Sequence, residues 1–230
     1  MREIAAYDAE VELRSDGSAQ AQMLDLPGCV GRGASVEGAL RALAAALPGY
    51  YAWLRRHDDY TPHVSEQVTV AAREVVSVPP GAFFARDAEP VDAGDLDLST
   101  ALLEWTYADL SALLAARDDT WLDVPLAAGE APRALLETLL RSQLWLIARL
   151  DARPAPVRLE ALPGGVGERL RMVGQASVAR LRSANDDERE HMYEHDGERW
   201  SLRKVLRRSV LLAHDTLAAI EGVAGAVGRQ

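Results

Sequence analysis

Four segments with an apolar residue at every third or fourth position fill the chain from Ser99 onward, and nothing before residue 99 repeats that pattern more than once. Such spacing puts the apolar side chains on one stripe of a helix, and a stripe must be buried against another element. The first segment carries Leu102, Leu103, Thr106, Leu110, Leu113 and Leu114. The second opens on Pro132, favourable in a first helical turn, and carries Leu136, Leu140, Leu144 and Ile147. Leu170, Val173, Ser177 and Leu181 mark the third; Leu206, Val210, Ala213, Leu217 and Ile220 mark the fourth. Four helices of about five turns each suffice for a four-helix bundle.

The first eighty residues follow another rule. "IAAYDAEVEL" reads as a strand, Asp16-Gly17 as a hairpin turn, and "AQAQMLDL" as the returning strand. Pro27-Gly28 ends it, and "CVGRG" makes a short third strand. Ser35 caps a helix from about Val36 to Arg56, in which Pro48-Gly49 predicts a kink or break. "EQVTVAAREVVSV", rich in β-branched residues, closes a β-β-β-α-β unit. The Pro, Gly and Asp-rich stretch 79–98 then reads as a linker. The fold class is therefore α+β, with an α/β domain at 1–78, the linker, and an all-α bundle at 99–225.

Composition excludes several functions. The single cysteine, Cys29, rules out an internal disulfide and a cysteine-based zinc site. The net charge is −10, split −4 over residues 1–80 and −6 over the rest, so neither part attracts phosphate backbones and no nucleic-acid partner is expected. No apolar run approaches the roughly 20 residues that span a bilayer, and the N-terminus lacks the pattern of a signal peptide, so a cytoplasmic protein without a membrane partner is expected.

Two resemblances refine this picture. Asp25-Leu26-Pro27-Gly28-Cys29, followed by Ser35, Glu37, Ala39 and Leu40, resembles the HicB-like antitoxin domain over about residues 4–78. The resemblance makes Cys29 part of a structural turn; the competing reading is a nucleophilic thiol served by His57 or His63. Family antitoxins couple this domain to a DNA-binding module and silence a small RNase, but no helix-turn-helix or basic arm is present here. The last helix, "DGERWSLRKVLRRSVLLAHDTLAAI", resembles the closing helix of the DinB-like superfamily through Asp196, Gly197, Trp200, Ser201, Arg203, Leu206, Arg207 and Ile220. "LLETLLRSQLWLIARL" resembles that family's second helix, and the likeness spans about 98–223. It implies a divalent metal held by three histidines for transferase or hydrolase chemistry. Aligned by the flanking motifs, Thr138, Leu212 and Thr216 occupy the three ligand places. Leucine cannot ligate and threonine ligates poorly, so no cofactor and no divalent metal are expected.

Other candidates each carry two readings. His191 and His195 in "HMYEH" match a zinc-peptidase order or form a polar helix end. His214, beside Asp215, is a boundary histidine or a ligand or proton carrier in the bundle's pocket, with Asp215 and Glu104 as further catalytic candidates. Trp105, Trp145 and Trp200 are core or pocket walls. Arg203 and Arg207, in a basic cluster with Arg199, Lys204 and Arg208, form a solvated face or an anion site. Three functions follow: a homodimeric binding or regulatory module with a small-molecule ligand, a divergent thiol transferase or hydrolase, or an antitoxin-like partner of a small RNase.

Overall fold

In the computed structural model the described residues are 4–23, 25–58, 67–77, 82–117, 119–126, 129–152 and 158–227. The chain forms two compact units, Met1–Arg86 and Asp87–Gln230.

The first unit has the expected order: β1 (Ile4–Leu13), β2 (Ala19–Gln22), β3 (Val30–Gly33), α1 (Val36–His57) and β4 (Gln67–Ser77). Its sheet runs β3-β2-β1-β4, antiparallel except for the parallel β1–β4 pair. That parallel pair requires a crossover, and α1 supplies it. Ala9, Val11, Ala19 and Ala21 meet Ala39, Leu43, Leu47 and Leu54 of the helix in a buried core. Small residues on the strands let the helix approach closely. At Gly31 the approach is extreme, since a Cβ there would lie 2.1 Å from the backbone nitrogen of Leu43.

The helix does not break at Pro48. It runs unbroken from Val36 to His57, and the Ser35 side chain accepts from the Gly38 N–H at 3.1 Å to cap it. Leu43 and Leu47 before the proline, and Tyr50, Tyr51, Trp53 and Leu54 after it, are all buried. Burial on both sides outweighs one missing backbone bond.

Cys29 lies in the turn between β2 and β3 and is 1 % exposed. Its N–H donates to Leu26 O at 3.1 Å, and the Tyr50 hydroxyl donates to Pro27 O at 2.5 Å. Burial pushes the thiol up to about 12. His57 stacks edge-on against Trp53 at 5.3 Å, and His63 lies outside the described residues. The turn is structural. After β4 the chain is tied back to the sheet: Ala85 N–H donates to Glu74 Oε2 at 2.9 Å, and Arg86 pairs with Asp25. Phe84, fully buried, anchors this stretch.

The second unit is built on α2 (Ala93–Ala115), α3 (Pro132–Ala148), α4 (Val166–Arg182) and α6 (Leu202–Val227), with a short α5 (Asp186–Glu190) and a hairpin of β5 (Tyr193–His195) and β6 (Glu198–Trp200). The first bundle helix begins at Ala93, inside the stretch read as a linker. Asp92 caps it by accepting from Asp95 N–H at 2.7 Å, and Leu96 is buried, so the aspartates belong to a helix start.

Both α2 and α3 pack against α4 and α6, so α2 lies diagonal to α3 and α4 to α6. Gly167 against Leu114 and Gly174 against Tyr107 make α4 antiparallel to α2. Arg203 on Asp95 makes α6 parallel to α2. Diagonal connections must cross the end of the bundle, which explains why the α2–α3 segment is longer than a tight turn. The predicted stripe residues Leu136, Leu140, Leu170, Val173, Leu206, Val210 and Leu217 are all buried.

"HMYEH" starts at the polar end of α5, where His191 is the C-cap, and continues into β5. Asp196 (φ 56°) and Gly197 (φ 77°) form the two-residue turn of the β5–β6 hairpin. Two consecutive positive φ values suit a type I′ hairpin, for which Asp-Gly is a preferred pair.

Two predictions test the first unit. Gly31→Ala forces β3 and α1 apart against backbone atoms that cannot rotate away, and denaturant melts should show a loss of about 3 kcal/mol or more. Cys29 remains protonated in the fold while the unfolded thiol ionises near 9.0. Its contribution is therefore complete below pH 9 and lost as pH rises toward about 12. Urea midpoints should fall from pH 9 upward, and Cys29→Ala should flatten the onset of that fall; an unchanged onset contradicts this account.

Candidate functional site

A cavity of about 480 Å³ opens between α2 and α4. That volume is ordinary for a small-molecule site. Its walls are Ala108, Val178 and Ala179, and the Tyr107 ring makes its floor. Gly174 explains the floor. A Cβ at this position would sit 2.9–3.1 Å from three ring carbons of Tyr107, so glycine alone lets the ring pass beneath α4. The tyrosine hydroxyl then lies buried without a partner among the described residues, and burial raises its pKa.

Charged groups flank this floor. Arg182 donates to both carboxylate oxygens of Glu104, at 2.6 and 2.7 Å, and each side chain is 46 % exposed. The Glu104 hydrogen bond raises the Arg182 pKa above its usual value, with Asp97 a smaller contributor. Arg171 donates to Gln175 Oε1 at 3.3 Å. The lining thus holds two guanidiniums and one carboxylate.

A second polar system is centred on a buried ion pair. Asp87, fully buried, accepts from Arg207 Nε at 3.1 Å and Nη2 at 2.6 Å, and Arg207 is 4 % exposed. Ser201 Oγ donates to Asp87 O at 2.5 Å and accepts from Lys204 N–H at 3.1 Å, so one hydroxyl holds the segment before α2 and caps α6. Arg203 donates to Asp95 Oδ2 and Pro90 O, both at 2.6 Å. Lys204 Nζ donates to Glu198 Oε1 at 2.7 Å and lies 4.1 Å above the Trp200 ring. Burial lowers the Lys204 pKa, with Glu198 opposing. Arg203, Lys204 and Arg207 therefore form neither a solvated face nor an open anion site; they join the helix to the chain that precedes the bundle.

The remaining candidates separate. Glu104 lines the cavity; His214 and Asp215, half-buried on α6, do not. Trp145 and Trp200 meet edge-to-face at 5.1 Å, with Arg149 over Trp145 at 4.3 Å, while Trp105 is half-buried on α2. His191 meets Tyr193 edge-on at 4.5 Å, Tyr193 stacks on His195 at 6.2 Å, and His195 Nε2 lies 3.0 Å from Arg149 O.

The three positions aligned with metal ligands do not suit a metal. Thr138 is exposed on α3, while Leu212 and Thr216 are half-buried on α6, and the Thr216 hydroxyl donates to Leu212 O at 2.9 Å. Among the described residues no three His, Cys, Asp or Glu side chains gather as a ligand set. The inward polar places are others: Tyr107, Gln143, Ser177 and Ser209, one from each bundle helix, all buried. Gln143 Nε2 donates to Ser209 O at 2.8 Å. Gln143 and Ser209 escaped the sequence reading because they interrupt rather than extend the apolar stripes. Arg171, Gln175 and Arg182 escaped it because their helix reads as an ordinary amphipath.

No described helix is long and apolar enough to cross a membrane. Removing Asp87 leaves the Arg207 guanidinium buried without its carboxylate, and such losses run to about 3–5 kcal/mol. Asp87→Ala should lower the stability of the second unit by that order in chemical denaturation, and a loss under about 1 kcal/mol contradicts the role given to the pair.

No family model and no curated protein matches the chain. Among solved structures it is similar to YfiT from Bacillus subtilis, described as a probable metal-dependent hydrolase with an unusual four-helix bundle topology. The identity is 20 %, the TM-score 0.49, and the match covers 65 % of this chain and 96 % of that one. YfiT is described as metal-dependent, which runs against the expectation of a bundle without a divalent metal, and that expectation is withdrawn. Thr138, Leu212 and Thr216 do not supply that site, and no chemistry is assigned to a metal through them.

Proposed function

We propose that the second unit is a DinB-like bundle that binds a small organic molecule in the α2/α4 cavity, and that the chain acts as a binding or regulatory module. The observation that carries this reading is the cavity itself: an aromatic ring and small apolar residues lining it together with polar and charged side chains. The Asp196-Gly197, Trp200-Ser201 and Arg203 pattern at the start of α6 supports the DinB-like assignment. The first unit is read as HicB-like, supported by its β-β-β-α-β order and the Leu26-Pro27-Gly28-Cys29 turn.

Blocking the cavity tests the binding. Ala108 is an exposed wall residue, and Ala108→Trp fills the space without entering the core. A ligand at about 100 times its Kd should raise the thermal midpoint of the native chain by about 5–10 °C and that of Ala108→Trp by none. Equal shifts in the two proteins, or no shift from any member of a broad small-molecule panel, defeat the reading.

A second reading is a divergent transferase or hydrolase, favoured by the presence of the Glu104 carboxylate in the cavity wall. Turnover of thiol-transfer or ester substrates, assayed with added divalent metals and with chelator, should fall at least about tenfold in Glu104→Gln if that carboxylate touches substrate. Equal turnover in the variant removes Glu104 from the chemistry.

A further inference from the structure

Building on the cavity assigned above, we infer that its ligand is an organic anion, a carboxylate or sulfonate on an apolar ring or chain, and that Glu104 holds the anion's place on Arg182 in the free protein.

The charge balance is the first argument. The lining carries Arg171 and Arg182 against Glu104 alone, an excess of one positive charge in a protein of net charge −10. A local cationic site in an anionic chain selects for a negative group. The second argument is geometric. Arg182 already presents both Nη1 and Nη2 to a carboxylate, at 2.6 and 2.7 Å. A guanidinium set in this fork is pre-organised for any carboxylate or sulfonate that takes the same position.

The third argument is energetic. Both partners of the Glu104–Arg182 pair are 46 % exposed, and pairs of that kind contribute little to stability. Glu104 can therefore rotate to solvent at small cost when a ligand anion arrives. A buried pair such as Asp87–Arg207 could not exchange in this way. The remaining surface fits the rest of such a molecule. Tyr107, Val178, Ala108 and Ala179 offer a ring face and small apolar walls, while Arg171, steadied by Gln175, also lines the cavity.

The test compares two fluorescent probes of nearly the same apolar body: anilinonaphthalene sulfonate, an anion, and N-phenylnaphthylamine, which is neutral. Each is titrated into the full chain and its variants, with native secondary structure verified by circular dichroism. Arg182→Gln should weaken the sulfonate about tenfold, the loss of one charge-assisted contact. Glu104→Gln should tighten it about threefold, because the resident competitor is gone. Neither change should move the neutral probe, and Ala108→Trp should abolish both. If neither probe binds the native chain, or Ala108→Trp binds both unchanged, the cavity reading and this inference fall together. If both probes bind and Ala108→Trp stops them, but the sulfonate ignores Glu104→Gln and Arg182→Gln, the cavity stands and the anion specificity is overturned.

Discussion

The second unit depends on the buried pair of Asp87 and Arg207. Two charges with almost no exposure are costly to hold out of water unless each is fully matched, and here the match is bidentate. Asp87 precedes the first bundle helix and Arg207 sits one turn into the last, so the pair joins the two ends of the unit in sequence. The Ser201 hydroxyl, on Asp87 O and Lys204 N–H, fixes where α6 starts, and Arg203 on Asp95 sets its register against α2. With α2 and α6 aligned in parallel, α4 can lie antiparallel to α2 on its other side.

That arrangement creates the cavity. The α2/α4 contact is held open by small residues, Gly174, Ala108 and Ala179, and floored by one large ring. Two kinds of ion pair thus divide the work by exposure. The buried pair is fixed and architectural. The half-exposed Glu104–Arg182 pair contributes little to folding, as the proposed exchange for a ligand anion requires.

Much of the fold was legible in the chain. Ser35 as a cap, Asp16-Gly17 as a hairpin and the stripes of Leu136, Leu140, Leu170 and Leu206 are local signals with local causes. Where reading failed, two local signals competed. Asp196-Gly197 carried the same hairpin chemistry as Asp16-Gly17, but after the polar helix end before it the pair was read only as a break. Pro48 signalled a break, yet the buried faces on both sides of it carried the helix through. Aspartates 92 and 95 suggested a linker and proved to be the start of α2. Thr138 showed the limit of aligning by flanking motifs, since its side chain is exposed while Gln143, five residues on, faces the core.

The candidate site was legible only in part. Glu104 was singled out, but its partner Arg182 lies 78 residues away, and nothing local joins them. By itself, the sequence determined the two-unit plan, the four apolar stripes and the β-β-β-α-β order, because hydrophobic period, caps and turn residues act over one or two turns of chain. The tertiary structure decided which helices are neighbours, which charges are buried, and where a cavity opens. Those outcomes rest on contacts between residues far apart in sequence, chosen by side-chain volume and charge matching across helices, and no short segment contains that information.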